Sequence, residues 1–287
     1  MPIRHVLLAL VVVAIWGFNF VVIKLSVEAM PPLFAAALRF LAVAIPAVFF
    51  IKPPKAPAWL VIAYGLAFGF ALYAFLNLSM AWGMPAGLSS LVLQVQAFFT
   101  MIIAFLILGE RPNRFQIMGA GVAFFGIAVI ATERLSGTEL LPLSFTVLAA
   151  LAWGVANVLT RMAGRVNPLS LTVWGSLAAP LPLLALSLLT EGGAAIATAI
   201  SSFSLSDAGL IAFLAYPSSM LGGVIWAWLL MRHPASVVAP FTLLVPVTGL
   251  VSAYLVLGET ITGVEILGAM FVIAGLAVTL AKRRPVA

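Results

Sequence analysis

The chain has 287 residues, of which 64% are hydrophobic and only 8% charged, with a mean hydropathy of +1.24. A soluble domain carries about a quarter charged residues, so this composition excludes a water-soluble globule and leaves lipid as the solvent. The net charge of +6 is dispersed singly between apolar stretches, which excludes nucleic acid as a partner, and the lack of cysteine excludes disulfides and thiolate metal sites.

Arg4-His5 and the apolar run behind it superficially resemble a signal peptide. The run is too long and lacks a small-residue cleavage site before Trp16, so it predicts an uncleaved first span. In units of about 20 apolar residues, the chain predicts ten spans. They fall at 5–26, 32–51, 57–80, 85–108, 114–132, 141–161, 168–189, 207–230, 235–257 and 263–281. The breaks are short and proline-rich, as at Met30-Pro31-Pro32 and Lys52-Pro53-Pro54-Lys55, and proline suits a helix start. The runs are too long for barrel strands, and the bilayer core offers no water to unpaired backbone, so each span must be a helix. The stretch 190–206 lies outside and has apolar positions that suit a short helix at the interface, where it would serve as a lid or, more simply, as a long loop.

The stretch from Pro85 to Glu110 is written a second time from Pro234 to Glu259, with the same Pro-Ala opening and the same Leu-Gly-Glu close. An offset of 149 residues holds from 85 to about 129, pairing Gly119 with Gly268 and Gly126 with Gly275. Near the front the offset is 137, pairing Trp16-Gly17 with Trp153-Gly154. Two copies of one unit, at 1–135 and 140–284, are therefore expected. With the N-terminus cytoplasmic, Arg4, Lys52, Lys55, Arg111, Arg114, Arg161, Arg165, Arg232 and the cluster at 282–284 fall inside, and Arg134 alone outside. Both termini are thus expected in the cytoplasm. Five spans per unit invert the second copy relative to the first, giving an all-α membrane protein of ten transmembrane helices in two inverted five-helix repeats.

No Asp or Glu lies deep in a span, which argues against proton coupling through an acid and against intramembrane hydrolysis. His5 and His233 fall at inner helix ends as interfacial groups, and no metal or cofactor is expected. Arg39 lies about seven residues into span two, roughly 10 Å deep, and must face protein or water. Its planar fork would clamp a carboxylate; helix-end carbonyls or Glu28 are the structural alternative. Lys24 is nearer the boundary and can snorkel. Trp16 and Trp153 fall near mid-membrane. Trp16, Asn19, Phe20 and Ile23 share a helix face, as do Trp153, Asn157 and Arg161, and Asn77 lies four after Tyr73. Interhelical hydrogen bonding is the plain role for each asparagine, but their convergence near one axis points to a cavity wall. Gln94 and Gln96 are two apart, so at most one should line it. Gly65 and Gly69 form a GxxxG pattern of close helix packing, and Pro240 and Pro246 would bend span nine.

The strings WGFNFVVIK (16–24), MPPLFAAALRF (30–40), MPAGLSSLVLQVQAFFT (84–100), VAPFTLLVPVTGL (238–250) and the two LGE ends resemble the drug/metabolite transporter superfamily and its EamA-like family. The likeness runs along the whole chain and is nearest to the amino-acid metabolite exporter branch. It departs at Tyr216–Gly223, where that pattern holds a mid-span tyrosine between glycines. The resemblance implies an inner-membrane secondary transporter, not an enzyme, that exports solutes of the O-acetylserine and cysteine type by alternating access. Its partners would be a small-molecule substrate and the lipid bilayer, as a monomer or a homodimer. The substrate-binding residues would be Trp16, Asn19, Arg39, Asn77, Gln94, Gln96, Trp153 and Asn157. A transporter of another small metabolite or drug, or a membrane enzyme or lipid-handling protein, are the alternatives.

Overall fold

The computed structural model describes residues 1–109, 112–133, 140–233, 238, 241, 242 and 244–280. The expectations for Glu110, Arg111, Arg134 and Pro240 lie outside the described residues. Eleven helices carry the fold: α1 (Ile3–Ala29), α2 (Pro32–Val48), α3 (Ala58–Ala81), α4 (Ala86–Leu108), α5 (Arg114–Glu133), α6 (Leu140–Met162), α7 (Pro168–Thr190), α8 (Gly193–Ser201), α9 (Leu205–Phe213 running through Leu214–Leu221 into Gly222–Arg232), α10 (Leu244–Leu257) and α11 (Gly263–Leu280). Six of them, α1, α3, α4, α6, α7 and α9, are long and apolar enough to cross a membrane, while α2, α5, α10 and α11 are shorter apolar helices. The stretch after α7 is helical, not a plain loop: Ile196 and Ala199 of α8 bury against Met30, Phe34, Ala35 and Ile211.

Eight helices enclose the interior. α1 lies against α9 and α10, α4 against α6 and α10, α3 against α6 and α7, and α2 against α7 and α9. α5 and α11 pack chiefly on each other at the side, with α11 touching α4. Two of the enclosing helices are irregular in the same place. Gly65–Leu72 of α3 and Leu214–Leu221 of α9 wind as π-helix, and the second segment sits 149 residues after the first. Such wide turns cost backbone geometry and re-aim side chains, which is why they gather at functional sites. Pro217, inside the second segment, has no N–H to give to a regular ladder.

Glycine sets how closely these helices approach. A Cβ on Gly126 would lie 2.6 Å from the Gly268 carbonyl oxygen, one on Gly268 would lie 2.7 Å from that of Gly126, and one on Gly275 would lie 2.5 Å from that of Gly119. Gly119 thus meets Gly275 while Gly126 meets Gly268, so α5 and α11 run antiparallel. A Cβ on Gly17 would meet Thr248 and Gly249, just as one on Gly154 would meet Phe99 and Thr100. The expected close packing at Gly65 and Gly69 holds, against Gly175 and Ala179 of α7. Lipid is as apolar as the side chains, so such contact, rather than water exclusion, holds membrane helices together.

Two glutamates fasten the second half to the first. Glu259 accepts from the backbone N–H groups of Ala86 (2.7 Å) and Gly87 (3.0 Å), the open first turn of α4. Glu191 does the same for Leu33 (2.8 Å) and Phe34 (3.4 Å) at the start of α2, and Ser187 donates to it. A carboxylate there satisfies orphan donors and meets the positive end of the helix dipole. Gly109 and Gly258, in the two Leu-Gly-Glu ends, both adopt left-handed φ values (69° and 66°), which glycine alone reaches without strain. At another end of the chain's packing, His5 Nδ1 and His233 Nε2 stand 2.6 Å apart, joining the start of α1 to the end of α9. No group of three or more metal-ligating side chains occurs among the described residues.

The α5–α11 contact gives a test with an internal control. Gly126→Ala pushes a methyl into the backbone of α11 and should destabilise the protein by about 1–3 kcal/mol. Gly121→Ala in the same helix meets nothing within 4 Å and should unfold in detergent at the wild-type temperature. Equal melting of both variants would remove the close approach.

Candidate functional site

Between the enclosing helices lies a cavity of about 400 Å³. Its walls come from both halves: Trp16, Asn19 and Phe20 of α1, Arg39 of α2, Tyr64, Phe68 and Tyr73 of α3, and Gln94 and Gln96 of α4 face Trp153, Asn157 and Thr160 of α6, Thr172 of α7 and Ser218, Ser219 and Trp226 of α9. The wall is therefore largely aromatic, with amides and hydroxyls between the rings.

Arg39 is the one charged residue among the described lining side chains. It is 2% exposed, and a guanidinium so placed in an apolar solvent demands partners. Nε and Nη2 both donate to Ser219 Oγ, at 3.3 and 2.9 Å. The guanidinium carbon stands 4.1 Å from the centre of the Tyr73 ring, a cation–π contact. Nη1 is buried with no hydrogen-bond partner. Neither Glu28 nor a helix-end carbonyl holds it, contrary to the structural alternative: Glu28 pairs with Lys24 at 3.5 Å, and Lys24 reaches the Met80 carbonyl at 3.0 Å. The π turns make this possible. Ser219 Oγ donates to the Leu214 carbonyl at 2.8 Å, five residues back, which fixes the oxygen that receives Arg39.

The remaining polar groups form two local sets. In one, the Trp16 indole donates to the Ser218 carbonyl at 3.2 Å, Ser218 Oγ donates to Asn19 Oδ1 at 2.7 Å, and Trp16 packs on Trp226 with ring centres 5.3 Å apart. In the other, Asn157 Nδ2 donates to Gln96 Oε1 at 2.7 Å and to Thr100 Oγ1 at 3.0 Å. Trp153 stands beside this second set and meets Phe68 edge-on at 6.4 Å. Repeat-related Trp16 and Trp153 thus border one space.

Seven of the eight expected residues line this cavity; Asn77 does not. It is 3% exposed and donates to the Pro32 carbonyl at 2.9 Å, tying α3 to the start of α2. Its four-residue spacing from Tyr73 was right for an ideal helix, but it is the neighbouring Leu76 that faces the cavity. Gln94 and Gln96 both line the space, against the expectation that only one would. Leu93–Val95 tightens into a 3₁₀ turn. Three residues per turn narrow the angle between positions two apart from about 160° to about 120°, enough for both amides to face inward. Ser218, Ser219, Tyr64, Tyr73 and Trp226 were not anticipated as lining. The available signals were the Ser-Ser pair after Pro217 in an apolar span and the aromatic spacing of Tyr64 and Phe68.

The profile of the EamA-like transporter family matches residues 3–132 and 140–281. The chain belongs to the EamA-like transporter family. It is a multi-pass membrane protein of that family, and not an enzyme. It is 43% identical over 275 residues to the probable amino-acid metabolite efflux pump of Salmonella typhimurium, covering 94% of this chain and 92% of that protein. To the probable amino-acid metabolite efflux pump of Escherichia coli it is 42% identical over 275 residues, with the same coverage of 94% and 92%. A crystal structure of a protein 18% identical, covering 99% of this chain and 98% of its own, superposes with a TM-score of 0.64, which shows the fold.

For an EamA-like transporter, the separation of cavity wall from helix tie is testable. Asn77→Ala should lower thermal stability by about 1 kcal/mol and leave solute flux per folded molecule unchanged. Trp16→Ala and Asn157→Ala should cut flux about tenfold or more, the weight of one lost contact of about 1.4 kcal/mol. Unchanged flux in both, with folded protein in the membrane, would reduce these two residues to packing.

Proposed function

We propose that this protein exports small amino-acid-like metabolites, of the O-acetylserine and cysteine type, across the inner membrane. The observation that carries this is the buried Arg39 with an open Nη1 in an aromatic cavity between the two halves. A guanidinium fork matches a carboxylate, the rings accept a small side chain, and the Asn19–Ser218 and Gln96–Asn157 sets fix the head group. The efflux pumps at 42–43% identity support the same solute class.

The binding residues of this proposal are Trp16, Asn19, Arg39, Gln94, Gln96, Trp153 and Asn157. Ten membrane helices form two inverted five-helix repeats, at 1–135 and 140–284, with both termini cytoplasmic. Counting α2, α5, α10 and α11 as spans gives that number. The reciprocal glycine contacts support the inversion, since antiparallel partners exchanged by one offset are related by a twofold axis perpendicular to them. Rocking of one repeat against the other exposes the cavity to each side in turn. No carboxylate is among the described lining residues, and flux runs down the solute gradient or by exchange, without a proton relay.

The test is counterflow in proteoliposomes across a panel of amino acids and acetylated amino acids. Labelled O-acetyl-L-serine or L-cysteine should accumulate against unlabelled solute at equal pH on both sides. Accumulation that requires a pH gradient, with protons moving mole for mole with solute, would refute the coupling. No counterflow of any amino-acid-like solute would refute the function.

A further inference from the structure

The charge and hydrogen-bond balance of the cavity says more about its ligand than its size does. Four hydrogen-bond acceptors at or beside the wall are already engaged. The Ser218 carbonyl takes the Trp16 indole, the Leu214 carbonyl takes Ser219 Oγ, Asn19 Oδ1 takes Ser218 Oγ, and Gln96 Oε1 takes Asn157. The first two belong to the π segment, whose irregular backbone would otherwise offer free oxygens to a cation. The carboxylates nearest in function, Glu191 and Glu259, are held at helix starts. The charged residue on the wall is a cation, and it keeps a buried donor without a partner. The described wall thus carries a cation and no carboxylate to balance a substrate ammonium.

A zwitterion entering such a site satisfies Arg39 with its carboxylate but brings an ammonium whose water must be stripped away, with aromatic faces as its main compensation. A molecule with the same carboxylate and a neutral amide in place of the ammonium leaves no charge uncompensated. Its carbonyl offers an acceptor to the amide and indole N–H groups of the wall. Resting on the function proposed above, we propose that the cavity selects amino-acid derivatives whose amine is masked, N-acylated amino acids carrying one net negative charge, over the parent zwitterions.

N-acetyl-L-serine and O-acetyl-L-serine are isomers that differ in where the acetyl group sits and hence in whether the ammonium is present. Calorimetric titration of each into the purified full-length protein, in acidic buffer where the ester does not migrate to nitrogen, reads the preference directly. N-acetyl-L-serine should bind at least about tenfold more tightly, the weight of one uncompensated polar contact. Equal or tighter binding of O-acetyl-L-serine would overturn this inference and leave the exporter standing. Failure of both isomers and of every amino acid in the panel would overturn both. Gln96→Glu supplies a carboxylate inside the same wall, so it should move the ratio towards O-acetyl-L-serine by about tenfold. An unchanged ratio in a variant that elutes as the wild type would equally overturn the inference.

Discussion

A single positive charge buried in an apolar solvent dictates much of the interior. Placing an arginine at the centre of a membrane helix costs about 2.5–3.5 kcal/mol even with relaxation, so Arg39 must be housed, and the housing is the site. Ser219 receives two of its donors and Tyr73 lies under its plane. Both partners depend on wide turns: Ser219 lies within the π segment of α9, and Tyr73 follows the π segment of α3. Those turns are tolerable because neighbouring helices and a cavity, rather than lipid, surround them. The charge, the irregular backbone and the empty space are thus one feature.

The two-copy plan supplies the frame, and departures from it supply the chemistry. Equivalent contacts recur: Gly17 on Thr248 and Gly249, Gly154 on Phe99 and Thr100, and Gly119 and Gly126 on Gly275 and Gly268. The cation is not repeated. Aligning Pro32-Leu33 with Pro168-Leu169 sets Gly175 opposite Arg39, and Gly175 is used for close contact with Gly65 instead. In sequence, Gln94 and Gln96 likewise align with the apolar Leu243 and Val245 of the second copy. The recurring contacts therefore enclose a site with charge on one side.

Much of this was legible in the sequence, because membrane helices obey strong rules. Span length, the 3.6-residue period and the repeat offset point to Trp16, Asn19, Trp153 and Asn157 around one cavity with Arg39 above it, and the structure brings Arg39 into the wall as well. What failed did so where the helix left its ideal period. A 3₁₀ turn at Leu93–Val95 turned both glutamines inward, and the π segments aimed Ser218, Ser219, Tyr73 and Trp226 at the cavity. Neither deviation alters hydropathy, so neither is visible to a periodic count. Asn77 shows the converse, a polar residue at the right spacing that serves the backbone of α2 instead. The glutamate caps were hidden for another reason: Glu259 and Ala86 are distant in sequence, and only packing reveals that one serves the other.

The claim on which the account rests is that Arg39 receives the carboxylate of the solute. It is tested most directly by titrating wild-type protein and Arg39→Gln with the tightest-binding amino-acid-like solute and with its carboxyl methyl ester. The account predicts that the wild type favours the free carboxylate by at least about tenfold and that Arg39→Gln binds acid and ester alike. The same preference in both proteins would contradict it, since the carboxylate would then be recognised elsewhere.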